Sequence, residues 1–326
     1  IFRVAPITNH QLSITGGNDS TKYYTSFSYF NQEGIVINTD FRRYSMRLNL
    51  DHKFSDRFKI GNNFNFSNTS EGVVLNDVAN GIISLALQQA PNVPVRLSDG
   101  SFGAPNQQNG LGTDEALNPV LWASIRNNTL DRFKINGNFF LEFELLEGLT
   151  FRSDLGYDYN TTRNEAFNPT YEFGQVINNI NTSVKFAGES FFWLFKNYFT
   201  YNKDFGNHSL NVLVGTEAQE GLFKGITGER SNFPSNEITG LNSGDADESL
   251  ASSNESGSSL VSYFGRVNYN FNSKYFLSAS LRYDGSSKFA AGNRFGYFPA
   301  VSAAWVASEE SFLESNDLIS WLKIRA

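Results

Sequence analysis

Between Ser258 and Trp305 the chain reads SSLVSYFGRVNYNFNSKYFLSASLRYDGSSKFAAGNRFGYFPAVSAAW, and its polarity changes at almost every residue. Tyr263, Gly265, Val267, Tyr269 and Phe271 alternate with Phe264, Arg266, Asn268 and Asn270. After Asn272, Ser273 and Lys274 the pattern resumes, with Tyr275, Leu277, Ala279, Leu281 and Tyr283 set against Ser278, Ser280 and Arg282. A period of two puts one apolar and one polar face on each strand, and three residues suffice only for a hairpin turn. Asp284 to Gly296 is by contrast a long polar loop before the next strand. Short turns and long loops alternate in this way along most of the chain.

The same reading predicts strands at His10–Thr15, Lys22–Gln32, Phe41–Phe54, Phe58–Ser70, Arg132–Leu145 and Leu149–Tyr159. It continues with Val184–Tyr201, Ser209–Glu217, Tyr263–Phe271, Tyr275–Tyr283, Tyr297–Val306 and Ile319–Arg325. Turns are expected at Ser55–Arg57, Glu147–Gly148, Asn202–Asn207 and Ser308–Asp317. Two large loops are expected, Glu71–Thr129 and Gly221–Gly257, the first with a helix over Asp77–Gln89, where Val78, Ile82, Leu85 and Ala86 fit a 3.6-residue period.

No stretch approaches the roughly 18 apolar residues of a spanning helix. A transmembrane β-barrel needs only every second residue to be apolar, and it carries aromatic girdles at the two interfaces. Phe 31, Tyr 14 and Trp 4 among 326 residues suit such girdles. The polar faces hold Asn, Arg, Glu and Asp, too hydrophilic for the dry core of a sandwich. No repeated unit of a propeller is visible. The fold class is therefore all-β: a partial transmembrane antiparallel barrel of roughly 12 strands, long extracellular loops at one end and short periplasmic turns at the other.

The chemistry the sequence excludes is as informative. There is no cysteine, so neither disulfides nor thiolate metal sites arise. The net charge of −7 shows no basic patch for nucleic acid. His10, His52 and His208 lie far apart, without metal-ligand spacing. Asp284-Gly285-Ser286-Ser287 lacks the strand-to-helix elbow of a serine nucleophile and reads as a loop turn. Glu142 and Glu144 sit on a polar strand face and read as lining. Asp245, Asp247, Glu248 and Glu255 do not follow a calcium-loop spacing. No catalytic, cofactor or metal site is expected. The aromatic run Phe191, Phe192, Trp193, Phe195, Tyr198 and Phe199 is expected to face lipid. Substrate contacts are expected from loop aromatics, Trp122, Tyr171, Phe233 and Phe289.

Several stretches closely resemble the SusC/RagA family of TonB-dependent transporters. They are YFGRVNYNFNSKYFLSASLRYDGSSKF at Tyr263–Phe289, GYFPAVSAAW at Gly296–Trp305, SEESFL at Ser308–Leu313, KYYTSFSYFNQEGIVINTDFRRYSMRLNLDHKF at Lys22–Phe54, and the closing LKIRA. The resemblance implies a multi-pass barrel of about 22 strands in the outer membrane of a Gram-negative bacterium, closed by an N-terminal plug. It implies import of oligosaccharides or peptides, with a SusD-like surface lipoprotein as lid and energy relayed by the TonB complex. No plug, TonB-contacting segment or closing C-terminal strand is recognisable here. Residues 1–326 are accordingly expected to be part of one barrel domain of a longer protein. The rival readings are an outer-membrane barrel enzyme of protease or lipase type and a structural or adhesive surface β-protein.

Overall fold

The computed structural model describes residues 1–73, 81–104, 117–174, 176–313 and 318–326. Twelve strands form a single antiparallel sheet. They are β1 (Ile7–Gly17), β2 (Thr21–Glu33), β3 (Asp40–Ser55), β4 (Phe58–Gly72), β5 (Asn127–Leu146), β6 (Leu149–Asn168), β9 (Thr182–Phe205), β10 (His208–Ser231), β11 (Leu250–Phe271), β12 (Tyr275–Ser286), β13 (Phe295–Val306) and β14 (Lys323–Arg325). A separate small hairpin, β7 (Tyr171–Phe173) with β8 (Val176–Asn178), lies in the loop between β6 and β9. Every strand of the large sheet pairs with its neighbours in chain order, leaving β1 and β14 at the two edges.

The turns explain this simple topology. Phe205 pairs with His208 and Leu146 with Leu149, leaving two-residue connections. At Asn272-Ser273 both residues adopt positive φ (54° and 56°), the left-handed conformation that tight hairpins require and that Asn tolerates well. All such turns fall at one end of the sheet. The connections 34–39, 73–126, 169–181, 232–249 and 287–294 fall at the other.

Register turns the alternation of single strands into two continuous faces. Phe58, Phe143, Phe151, Phe199 and Val214 lie opposite one another across β4, β5, β6, β9 and β10. Four residues toward the loops, Phe139, Leu155, Phe195 and Ala218 repeat the row. Residues opposed in a ladder share a face, so these rows form one apolar surface. Phe139, Leu155, Phe195, Val214 and Val267 are exposed on it, as expected of a surface whose solvent is lipid. Its aromatic rims include Tyr29–Tyr44 (5.1 Å between rings), Tyr283–Tyr297 (4.4 Å) and Phe151–Phe199 (5.0 Å).

The structure corrects the sequence reading in four places. β9 and β10 each run for 24 residues, and β11 begins at Leu250, so the expected Gly221–Gly257 loop shrinks to 232–249. Phe192 opposes Asp158 and Gly221, and Tyr198 opposes Arg152 and Gly215, which puts both on the polar face; Phe191, Trp193, Phe195 and Phe199 stay on the apolar one. Of the helix expected over Asp77–Gln89, α1 (Ile82–Gln88) is present, while Asp77–Asn80 lie outside the described residues. A second helix, α2 (Pro119–Ile125), was not expected. The final strand is confined to Lys323–Arg325, and residues 314–317 of the expected Ser308–Asp317 turn lie outside the described residues.

Candidate functional site

The polar face gathers the charges that the strands could not expose to lipid. Arg152 on β6 reaches Glu142 on β5 (3.2 Å) and Asp154 on its own strand (2.9 Å), and its guanidinium lies 3.9 Å from the centre of the Phe140 ring. Phe140 can lie flat there because Gly61 on β4 offers no Cβ; one would fall 2.2 Å from the ring. Four strands further on, Arg282 joins Glu217 (2.9 Å), Asp284 (2.7 Å) and the buried Ser262 hydroxyl (2.7 Å). Toward the turns, amides bridge strand to strand, from Asn211 to Asn202, Asn268 to Asn211 and Ser278 to Asn268. The charge-assisted bonds of Arg152 and Arg282 hold their side chains in place. The surface is hydrophilic, rigid and suited to a water-filled passage.

At the loop end the inter-strand segments build a small core of their own. Ile82, Leu85, Leu117, Leu121, Trp122, Ala123 and Phe173 pack together, with Tyr171 and Val176 against them. Asn118 organises this cap. Its Oδ1 accepts from Val120 N (3.0 Å) and Leu121 N (3.3 Å), capping α2, and its Nδ2 donates to Val95 O and Gly103 O. With Pro119 as the first helical residue, this is a strong helix start. Below α2, where β3, β4 and β5 emerge, lies a cavity of about 260 Å³ lined by Asn38, Asp40, Gly72, Trp122, Arg126, Asn127 and Asn128 among others. Arg126 stacks 4.5 Å from the centre of the Trp122 ring. Burial lowers the pKa of its guanidinium, with nearby Tyr171 acting the other way. Burial likewise pushes the Tyr171 hydroxyl up, and Arg126 opposes that shift.

Two of the four aromatic residues expected to touch substrate meet here: Trp122 and Tyr171 pack edge to face, 5.9 Å between rings. Trp122 is 9% exposed and contributes as much to the cap's core as to the cavity wall. Phe233 is placed elsewhere, 6% exposed, against Phe167 (5.7 Å), with its backbone N–H and carbonyl both bonded to the buried Asn181 side chain. Phe289 stands 61% exposed in the β12–β13 loop. Sequence reasoning missed Arg126 and Asn118; the Asn-Pro pair at 118–119 carried a usable signal for the cap.

The remaining ionisable residues are dispersed. Each histidine has an aromatic or hydroxyl partner on the apolar face: His10 stacks on Tyr29, His52 bonds Thr21 Oγ1 (2.7 Å) and His208 bonds the Tyr269 hydroxyl (2.6 Å). Glu142 faces Arg152, Glu255 on β11 pairs with Lys224, and Glu310 is held by Lys274, Tyr275 and Trp305. Among the described residues no three His, Cys, Asp or Glu side chains are grouped to hold a metal ion.

No protein-family model matches the chain. Individual proteins do, along its whole length. It is 34% identical to TonB-dependent receptor P3 of Formosa agariphila over 100% of this chain and 33% of that protein. It is 27% identical to TonB-dependent receptor SusC of Bacteroides thetaiotaomicron, again over 100% of this chain and 33% of the relative. Among solved structures, a chain of the RagAB peptide transporter superposes with a TM-score of 0.83 at 24% identity, over 99% of this chain and 36% of that one. The chain thus spans about a third of the length of the curated relatives it matches.

Proposed function

Since the chain belongs with the SusC/RagA-type TonB-dependent receptors of the outer membrane, we propose that it forms part of the barrel wall of an importer for oligosaccharides or peptides. The observation that carries this reading is the two-faced sheet. Its apolar face meets lipid across all the long strands, and its opposite face is a braced polar surface along which a hydrophilic solute can pass. On this reading residues 1–326 are part of a single barrel domain. A SusD-like lipoprotein covers the loop end, and the TonB complex supplies energy through a plug.

We read the protein as a non-enzyme. On the polar face Glu142 and Asp154 are engaged by Arg152, and Glu217 and Asp284 by Arg282, and the histidines all stand on the opposite, lipid-side face. A hydrolytic centre needs a base within hydrogen-bond reach of a nucleophile on the solvent side. The loop aromatics Trp122, Tyr171, Phe233 and Phe289 remain the proposed contacts for cargo.

Deletion of the gene in its native host, followed by uptake of fluorescent oligosaccharides and short peptides, tests the reading. Loss of uptake of one cargo class, restored by the intact gene and abolished again when the TonB system is de-energised, is the expected result. Uptake unchanged for every cargo, or a protein recovered without detergent in the soluble fraction, refutes it.

A further inference from the structure

Among the described residues of the loop-end cap, Arg126 is a half-buried guanidinium that lines a cavity and makes no hydrogen bond. Its Nη1 is sealed from solvent without an acceptor, its ring contact is with Trp122, and among the described residues no carboxylate lies within ion-pair distance. A guanidinium presents five donors in a planar fork and stays protonated. Leaving them unmet in a partly buried site is costly. Asp40, which lines the same cavity, also has no cationic partner among the described residues, and its Oδ1 lies over Gly72, where a Cβ would come within 2.6 Å. Glycine at 72 therefore keeps the cavity floor open. Asn127 adds a side-chain amide to the wall, and Asn128 uses its Oδ1 to accept from Asn164 (2.7 Å).

We propose that this cavity is a binding site for a carboxylate end-group, with Arg126 gripping the carboxylate and Asp40 accepting from a neighbouring N–H or O–H of the same ligand. The volume limits the ligand. About 260 Å³ is below the range of roughly 300–1,000 Å³ usual for drug-sized molecules, so the site takes one terminal unit and not a whole oligomer. Two kinds of cargo carry that chemistry. A peptide C-terminus offers a carboxylate beside an amide N–H, and a uronic-acid unit offers one beside ring hydroxyls. The site thereby becomes a selectivity filter at the loop end, where cargo first meets the barrel. The proposal rests on the transport reading for its purpose but not for its test.

The test is equilibrium binding to the protein purified from the outer membrane in detergent, followed by calorimetry. One arm compares a neutral tetrapeptide bearing a free C-terminus with its amide. The other compares a galacturonate trisaccharide with its methyl ester. The free acid should bind about tenfold or more tightly than the capped form in at least one arm, the size of a charge-assisted hydrogen bond. Which arm shows it identifies the source of the carboxylate. Arg126→Gln should remove the preference for the free acid over the capped form, and Arg126→Lys, which keeps the charge over Trp122 but loses the fork, should retain part of it. Equal affinity of acid and capped forms in both arms overturns the proposal even if the protein transports them. A preference that survives Arg126→Gln overturns it as well. Failure of uptake with the preference intact would instead count against the transport reading alone.

Discussion

At its turn end β9 reads Trp193, Phe195 and Phe199 on one face and Leu194, Lys196 and Tyr198 on the other. At its loop end the same strand begins Thr182-Ser183-Val184-Lys185, and the loop-end part of β11, on the far side of β10, reads Leu250 to Ser259 with hardly an apolar residue. Hydrogen bonding is continuous across both halves, and only the side-chain rule changes. A membrane crossing needs about 9–11 tilted residues. Twenty-four residues at about 3.4 Å each make a strand of roughly 80 Å, far more than a bilayer requires. The loop-end half therefore stands in water, where nothing compels alternation. There the sheet is held by its backbone ladder, by a side-chain cap and by individual polar contacts. The lipid disciplines one half of the molecule, and the other half is free to carry recognition.

The sharpest way to break this comparison is to put a charge on adjacent residues of the lipid-facing half. Phe195→Arg places a guanidinium on the apolar face and should cost about 2–4 kcal/mol near mid-bilayer. Leu194→Arg, one residue away, points to the polar face beside Gly156 and Gln219 and should be nearly neutral. Heat-modifiable migration of the barrel in gels reads both, and equal losses would mean the faces are misassigned. Gly61→Leu is expected to come next, at about 1–3 kcal/mol, because its side chain would enter the space where Phe140 lies under Arg152. The Arg152–Glu142 contact should loosen with it.

In the loop-end half the effects should be smaller and local. Asn118→Ala removes the α2 cap and two bonds to backbone carbonyls at a residue 2% exposed, a loss of about 1–2 kcal/mol. Limited proteolysis should cut the cap between Gly81 and Ile125 sooner, with the heat stability of the barrel unchanged. A drop in barrel stability would show that cap and sheet fold as one unit.

The same division explains what the sequence disclosed. The eleven long strands of the sheet were legible because each crosses a region where every second residue must be apolar, and the Tyr263–Tyr283 hairpin lies wholly inside that pattern. The extra lengths of β9, β10 and β11 were not, since the polar, glycine-bearing stretch Gly221–Gly257 looks like a loop when backbone pairing alone makes it strand. Phe192 and Tyr198 misled for a related reason. An unbroken aromatic run reads as lipid-facing until register sends alternate rings inward, where Tyr198 covers Gly215. Trp122 and Tyr171 could be picked out by type, but their meeting beside Arg126 is a contact between loop residues 49 apart in sequence, which no local pattern encodes.

The smallest expected effect lies at the turn end, outside the membrane, where Glu310 tethers the segment after β13. Its carboxylate accepts from the Tyr275 hydroxyl, from Trp305 Nε1 (3.2 Å) and from Lys274 Nζ (3.5 Å). These bonds, that of Tyr275 foremost, hold its pKa below the ordinary carboxylate value. A lowered folded-state pKa means the tether is fully present above the unfolded value of about 4.3. It is lost only as pH falls through the lower folded value. Hydrogen exchange at Ala307–Leu313 should therefore be unchanged from pH 7 to 5 and rise only below the usual range for a free glutamate. Glu310→Gln should abolish that step while leaving the ladder of β12 and β13 protected. Opening already at pH 5 would mean that the tether contributes nothing and that strand pairing alone fixes this end of the sheet.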